Sequence, residues 1–162
     1  MSKRPAILTG MAGGALWAVV LLLWSRGWNP VPGLDLFGLM ALSLAPGGII
    51  LLLLIARIAQ RRFFDDALID GQPVPPTSAA GIDQSVLTNT VEQLVLATCL
   101  WPVIGLALGP GAPLALGLSF GVTRVVFWGG YHLSPPLRGF GFAAGFYPTI
   151  LFLIAAAVAF VA

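Results

Sequence analysis

The polar side chains that could do chemistry here are those standing inside apolar stretches, because a charge within a bilayer is expensive and needs a partner. Glu92 is one of them. Asn89 precedes it by three residues and Ser85 lies one turn earlier, on the same helical face. Arg124 is another, followed by Tyr131 two turns on and then by Arg138. If the two stretches run antiparallel side by side, Glu92 and Arg124 reach a similar depth, and an ion pair between them is the simplest way to neutralise both. Arg138 then caps the opening of this polar pocket. A blander alternative stands beside it: a buried Glu–Arg pair with an Asn and a Tyr can fix helix register and assembly with no substrate at all. Other chemistries lack their residues. Cys99 is the only cysteine, which excludes an internal disulfide and a cysteine-based metal cluster, and its apolar neighbours suggest a packed core thiol. His132 is the only histidine, placed where interfacial solvation suits it, and with the carboxylates mostly in a polar segment no metal site is credible. There is no nucleophile–base pair, no phosphate-cradling loop and no dinucleotide motif.

The elements that must position these residues are dictated by composition. Of 162 residues, 58% are hydrophobic and 9% charged, against roughly a quarter charged in a soluble domain. That balance points to lipid as the solvent. A net charge of +2 with scattered cations argues against a nucleic-acid partner. Five apolar stretches are each near the roughly 20 residues that cross a bilayer: Ala6 to about Trp24, Leu34 to about Ala59, Ser85 to about Leu108, Pro113 to about Leu133, and about Phe140 to the C-terminus. All are expected to be helices, since a spanning backbone must satisfy its own hydrogen bonds and no period-two alternation suggests a barrel. The first run follows Lys3 and Arg4 like a signal peptide, yet it is long and no small-x-small site follows Trp24, so it reads as a retained helix. Pro46-Gly47-Gly48 should kink or loosen the second helix and admit a close neighbour. Trp17, Trp24 and Trp28 read as packing or interfacial anchors.

Orientation follows from the cations. With the N-terminus inside, the inner segments hold Lys3, Arg4, Arg57, Arg61, Arg62 and Arg138, and the outer loops hold only Arg26. The positive-inside bias therefore gives a cytoplasmic N-terminus and an outside C-terminus. The turn Gly109-Pro110-Gly111-Ala112-Pro113 makes the third and fourth helices antiparallel neighbours. The polar segment from about Phe63 to Asp83, with Asp65, Asp66 and Asp70, reads as an inner loop. Short loops and the absence of targeting signals suit a bacterial inner membrane.

The run from Arg124 to Phe142, with Tyr131 seven residues after Arg124 and Arg138 seven after that, resembles the signature of the MAPEG superfamily, the membrane-associated proteins in eicosanoid and glutathione metabolism. Asn89-Thr-Val-Glu92 is similar to the Asn-x-x-Glu of the family's preceding helix, and Arg61-Arg62-Phe63 to the basic end of its first helix. The likeness runs from residue 34 to the C-terminus, leaving residues 1–33 as an extra N-terminal transmembrane helix and outer loop before a 34–162 four-helix membrane domain. The resemblance implies an all-α integral membrane bundle assembled as a homotrimer, with glutathione as co-substrate bound between subunits on the cytoplasmic side. Asn89, Glu92, Arg124 and Tyr131 would hold the tripeptide with help from Arg61, and Arg138 would stabilise its thiolate, the nucleophilic form. The second substrate would be a lipophilic electrophile entering from the bilayer, for conjugation, lipid hydroperoxide reduction or isomerisation. Three positions depart from the pattern. Ser85 and Thr88 stand where many members carry Arg, and Phe127 where Tyr or His is frequent. Two missing cations remove charged hydrogen bonds that contribute about 1.5–3 kcal/mol each to holding an anion. The resemblance thus implies a glutathione-dependent transferase or peroxidase. The alternative is a non-catalytic accessory subunit that kept the polar cluster to hold its helices; a lipid carrier is a third, weaker possibility. The extra helix could pack on the trimer's lipid face or dock the protein in a larger membrane complex.

Overall fold

The computed structural model describes residues 3–162 as five helices in one bundle. They are α1 (Lys3–Ser25), α2 (Leu36–Phe63), α3 (Ala79–Leu108), α4 (Gly111–Leu133) and α5 (Pro135–Val161), each long and apolar enough to cross a membrane. There is no strand among the described residues. The chain is an all-helical integral membrane protein, four helices of one bundle preceded by an additional N-terminal one.

Three helices run past one end of their apolar stretch by a turn or more. α2 continues past Ala59 to Phe63, α3 starts six residues before Ser85, and α5 starts at Pro135 rather than Phe140. Hydropathy marks only the part of a helix that meets hydrocarbon, whereas the helix ends where its backbone groups are capped. The Ser78 hydroxyl accepts from Gly81 N at 3.0 Å and starts α3. Asp35 does the same for α2, accepting from Gly38 N at 2.8 Å. Gly109, at φ 86°, closes α3 in a conformation that strains any other residue, and α4 follows almost at once. Pro135 and Pro136 occupy the first turn of α5, where the missing N–H has no helical partner to lose.

α4 is the central helix, packed against α2, α3 and α5 along its length and touched by α1. Close approach depends on absent side chains. A Cβ on Gly117 would run into the Ser43 carbonyl, and one on Gly121 would lie 2.8 Å from Pro46 Cβ, so α4 lies directly on the Pro46 region of α2. α2 stays helical through Pro46. Of its two glycines, Gly47 meets Leu94 and Phe120 while Gly48 faces open space. α1 lies parallel to α5: Ile7 is beside Gly139, Gly10 beside Pro136 and Phe140, and Gly14 beside Ala143 and Ala144. Trp17 ties α1 to α4 by donating from Nε1 to Ser119 Oγ at 2.7 Å.

Two apolar clusters fill the bundle. One, towards the α3–α4 turn, includes Leu21, Trp101, Ile104, Leu116, Phe120 and Phe152. The other, towards the α2–α3 loop, is Ile50, Leu54, Val86 and Phe127. Large side chains such as Phe37, Leu52, Leu106 and Ile154 are exposed around the bundle, the pattern expected where the solvent is lipid.

Candidate functional site

Arg124 lies between the two apolar clusters and is completely buried. Phe120 and Phe127, one turn before and one turn after it, stack on its guanidinium at 5.1 and 4.6 Å, which offsets part of the desolvation of the cation. Nη1 donates to Asn89 Oδ1 at 2.8 Å on α3 and Nη2 to the Gly141 carbonyl at 3.0 Å on α5. Gly145 leaves the room that the guanidinium fills, since a Cβ there would collide with it. Nε has no hydrogen-bond partner among the described residues. Neighbouring Gln93 donates weakly to Asn89 Oδ1 at 3.4 Å and leaves its own Oε1 unpaired. The arrangement stitches α3, α4 and α5 together at one level and carries a positive charge with no carboxylate bound to it among the described residues.

The expected ion pair between Glu92 and Arg124 does not form. The buried face of α3 runs through Val86, Thr90, Gln93, Ala97, Trp101 and Ile104. Glu92 is next to Gln93 in sequence and therefore about 100° away around the helix, which turns it to the exposed side. Asn89 is nearer the buried face and takes Arg124 instead. Cys99 falls on the same outward stripe as Ser85 and Glu92 and is exposed, not the core thiol its neighbours suggested. Arg138 is in the first turn of α5, where its guanidinium lies 5.0 Å over the Tyr131 ring. Tyr131 in turn packs edge-on against Phe127 at 5.1 Å. Arg124, Phe127, Tyr131 and Arg138 thus form one continuous column, with Asn89 bonded to its first member and Glu92 beyond it.

Arg61 stands elsewhere, bound to a residue that the sequence left in a loop. Asp83 lies in the second turn of α3 and is fully buried. Its Oδ2 accepts from Arg61 Nε at 2.6 Å, and its Oδ1 accepts from Trp128 Nε1 at 2.7 Å with His132 Nε2 3.5 Å away. One carboxylate thereby joins α2, α3 and α4. A signal was present: Arg57 and Arg61 on α2, and Trp128 and His132 on α4, are each spaced by one turn, so each pair faces a single direction and offers donors that one acid can accept. These residues line an open cavity of about 440 Å³ with Val125 and Gly129. It lies on the α2 side of α4, whereas Arg124 reaches towards α3 and α5.

No curated protein and no solved structure matches this chain. A family model, the MAPEG family, matches residues 39–158, from within α2 to within α5, with α1 outside the matched range. That range holds every element of the Arg124 column, and the four-helix unit it covers is the bundle that surrounds α4. The chain belongs to the MAPEG family.

Proposed function

We propose that the protein is a membrane-bound, glutathione-dependent transferase or peroxidase acting on lipophilic electrophiles. Family membership supports a glutathione-related activity of this type at the family level. The single observation that carries the finer reading is the buried Arg124, bonded to Asn89 and without a carboxylate partner, at the head of a column that ends in Arg138. An uncompensated cation beside unpaired polar atoms favours an anionic, hydrogen-bonding ligand. Glutathione has two carboxylates, and Asn89, Glu92, Arg124 and Tyr131 are its proposed holders. Arg61, the proposed helper, is engaged by Asp83 on another side of α4 and within its own copy stands apart from the other four. The exposed stripe of Ser85, Glu92 and Cys99 suits the proposed homotrimer, because a carboxylate facing lipid is costly unless a neighbouring subunit covers it.

Arg138 has the thiolate role. A cation close to the thiol favours its ionised form, and the sulfur then attacks the electrophile. In conjugation a carbon–sulfur bond forms and the electrophile's leaving group departs, or its π-bond takes up the electron pair and a proton. In peroxide reduction the oxygen–oxygen bond is cleaved to alcohol and water while two glutathiones are oxidised to their disulfide. In the proposed topology the N-terminus and the α2–α3 loop are cytoplasmic and the C-terminus outside a bacterial inner membrane, as the cation distribution favours. The matched four helices are then the catalytic unit and α1 an addition to it.

The second reading, a non-catalytic accessory subunit, is favoured by the fact that Arg124 already binds Asn89 and Gly141 within the fold. Titrating glutathione into the detergent-solubilised protein and following thiolate absorbance separates the two. A saturable signal that disappears in Arg138→Ala is expected. Its absence from the wild-type assembly would sink the enzyme reading and leave the accessory subunit.

A further inference from the structure

α4 presents one straight exposed stripe: Leu118, Val122, Val125 and His132, with half-buried Gly129 in line between them. Apart from Leu133 in the last turn, its remaining faces are covered or half-covered. α2 contacts α4 on one side of the stripe, through Pro46 against Gly121, and α1 contacts it on the other, through Trp17 against Ser119. α1 and α2 do not touch each other among the described residues, so they stand as two walls with α4 as the floor of a groove open to the bilayer. The groove has two chemically different ends. Near the α2–α3 loop it widens into the polar cavity of Arg57, Arg61, Trp128 and His132. Farther along α4 it reaches an apolar cavity of about 290 Å³ between Trp17, Trp24, Leu118 and Val122.

Charge at the polar end is not balanced. Asp83 offsets one guanidinium, that of Arg61, and only Arg61 Nε is used in that bond. Arg57 is exposed, holding only Gln60 Oε1 at 2.6 Å. Two guanidinium groups against one carboxylate leave at least one positive charge, enough to meet a single phosphodiester anion. Length matches too. From His132 to Val122 the helix rises about 15 Å, the hydrocarbon depth of about one leaflet. A chain starting at the polar cavity and following Val125 thus ends at the apolar one.

We infer that this groove holds an anionic phospholipid of the leaflet on the α2–α3 loop side, its phosphate on Arg57 and the free nitrogens of Arg61 and one acyl chain along Val125 and Val122. Asp83 fixes Arg61 and Trp128 as the frame for the headgroup. α1, outside the family match, supplies the far wall and the apolar end, so this helix completes a lipid site rather than merely adding a span. The site is separate from the glutathione column and stands whether or not glutathione binds.

The test is native mass spectrometry of the full-length protein, delipidated in mild detergent and offered equal amounts of phosphatidylglycerol and phosphatidylcholine with matched long acyl chains. The expected result is a retained phosphatidylglycerol per protomer, favoured about fivefold, the effect of one cation near an anionic headgroup. Arg57→Gln should bring the two lipids level. Val122→Trp fills the groove without altering the charged cluster and should reduce retention of both. Equal retention of the two lipids by the wild-type protein overturns the inference, as does a phosphatidylglycerol preference that survives Arg57→Gln. Equal retention of dihexanoyl phosphatidylglycerol and its long-chain counterpart also overturns it, since the groove would then contribute nothing.

Discussion

At the scale of single residues, two buried charged groups are handled in opposite ways. Asp83 is satisfied by Arg61 and Trp128 at short distances, whereas Arg124 relies on two ring faces, an amide and a carbonyl. Asp83→Asn keeps the shape but weakens both bonds, and should lower stability by about 1–3 kcal/mol, read as a fall in the thermal unfolding midpoint in detergent. Because Arg61 is partly exposed and can turn to water, the double variant Arg61→Gln/Asp83→Asn should cost less than the sum of the singles. Additive losses would mean the two do not interact. Arg124→Leu strands Asn89 Oδ1 and the Gly141 carbonyl and should be the more damaging change, by about 2–5 kcal/mol. Glu92→Gln, outside the bundle, should leave the protomer's fold within about 0.5 kcal/mol of wild type. A large loss of protomer stability on that change would place Glu92 inside the bundle after all.

At the scale of elements, helix contacts here rest on small residues. With lipid outside and apolar side chains inside, burial alone gives little preference for one helix neighbour over another, and close packing decides instead. The α1–α5 contact is the clearest case, because Gly10 and Gly14 lie flat against the first three turns of α5. Gly14→Leu places a side chain on Ala143 and Ala144 and should cost about 1–3 kcal/mol by overpacking. It should also loosen α1, so that limited proteolysis cuts the 26–35 connection sooner than in wild type. An unchanged cleavage rate would show that α1 is held elsewhere. The sequence announced these helices by length and hydropathy, and its Gly and Pro residues located the α3–α4 turn, although α4 already begins at Gly111, inside the expected turn. It did not announce their polar ends, such as residues 60–63 of α2 and 79–84 of α3, because those turns leave the hydrocarbon and lose the apolar signal while caps such as Ser78 keep the helix going.

At the scale of the whole molecule, the exposed polar stripe of α3 is the feature most in need of a partner. Ser85, Glu92 and Cys99 face outward, and Glu92 has no ion-pair partner among the described residues. If this stripe lies at the joint between copies, light scattering should report three protomers in mild detergent. Cys99, the only thiol, should then react slowly with a membrane-permeant maleimide in the assembly and faster after dissociation. Fast labelling in an intact trimer would put the stripe outside the interface. Conjugating or peroxidase turnover is expected to follow assembly, since the proposed glutathione site includes residues on this face.

The sequence by itself determined the solvent, the helices and the family. Composition decides between water and lipid, run length counts the spans, and Asn89 to Glu92 and Arg124 to Tyr131 to Arg138 are spacings along the chain that need no knowledge of neighbours. What only the tertiary structure decided is direction: Glu92 and Cys99 outward, Asp83 inward, Arg61 apart from Arg124, and α1 against α5. In water an apolar stripe tells which face of a helix is buried. In lipid every face is apolar, so periodicity falls silent and the inward side is set by where small residues let another helix approach.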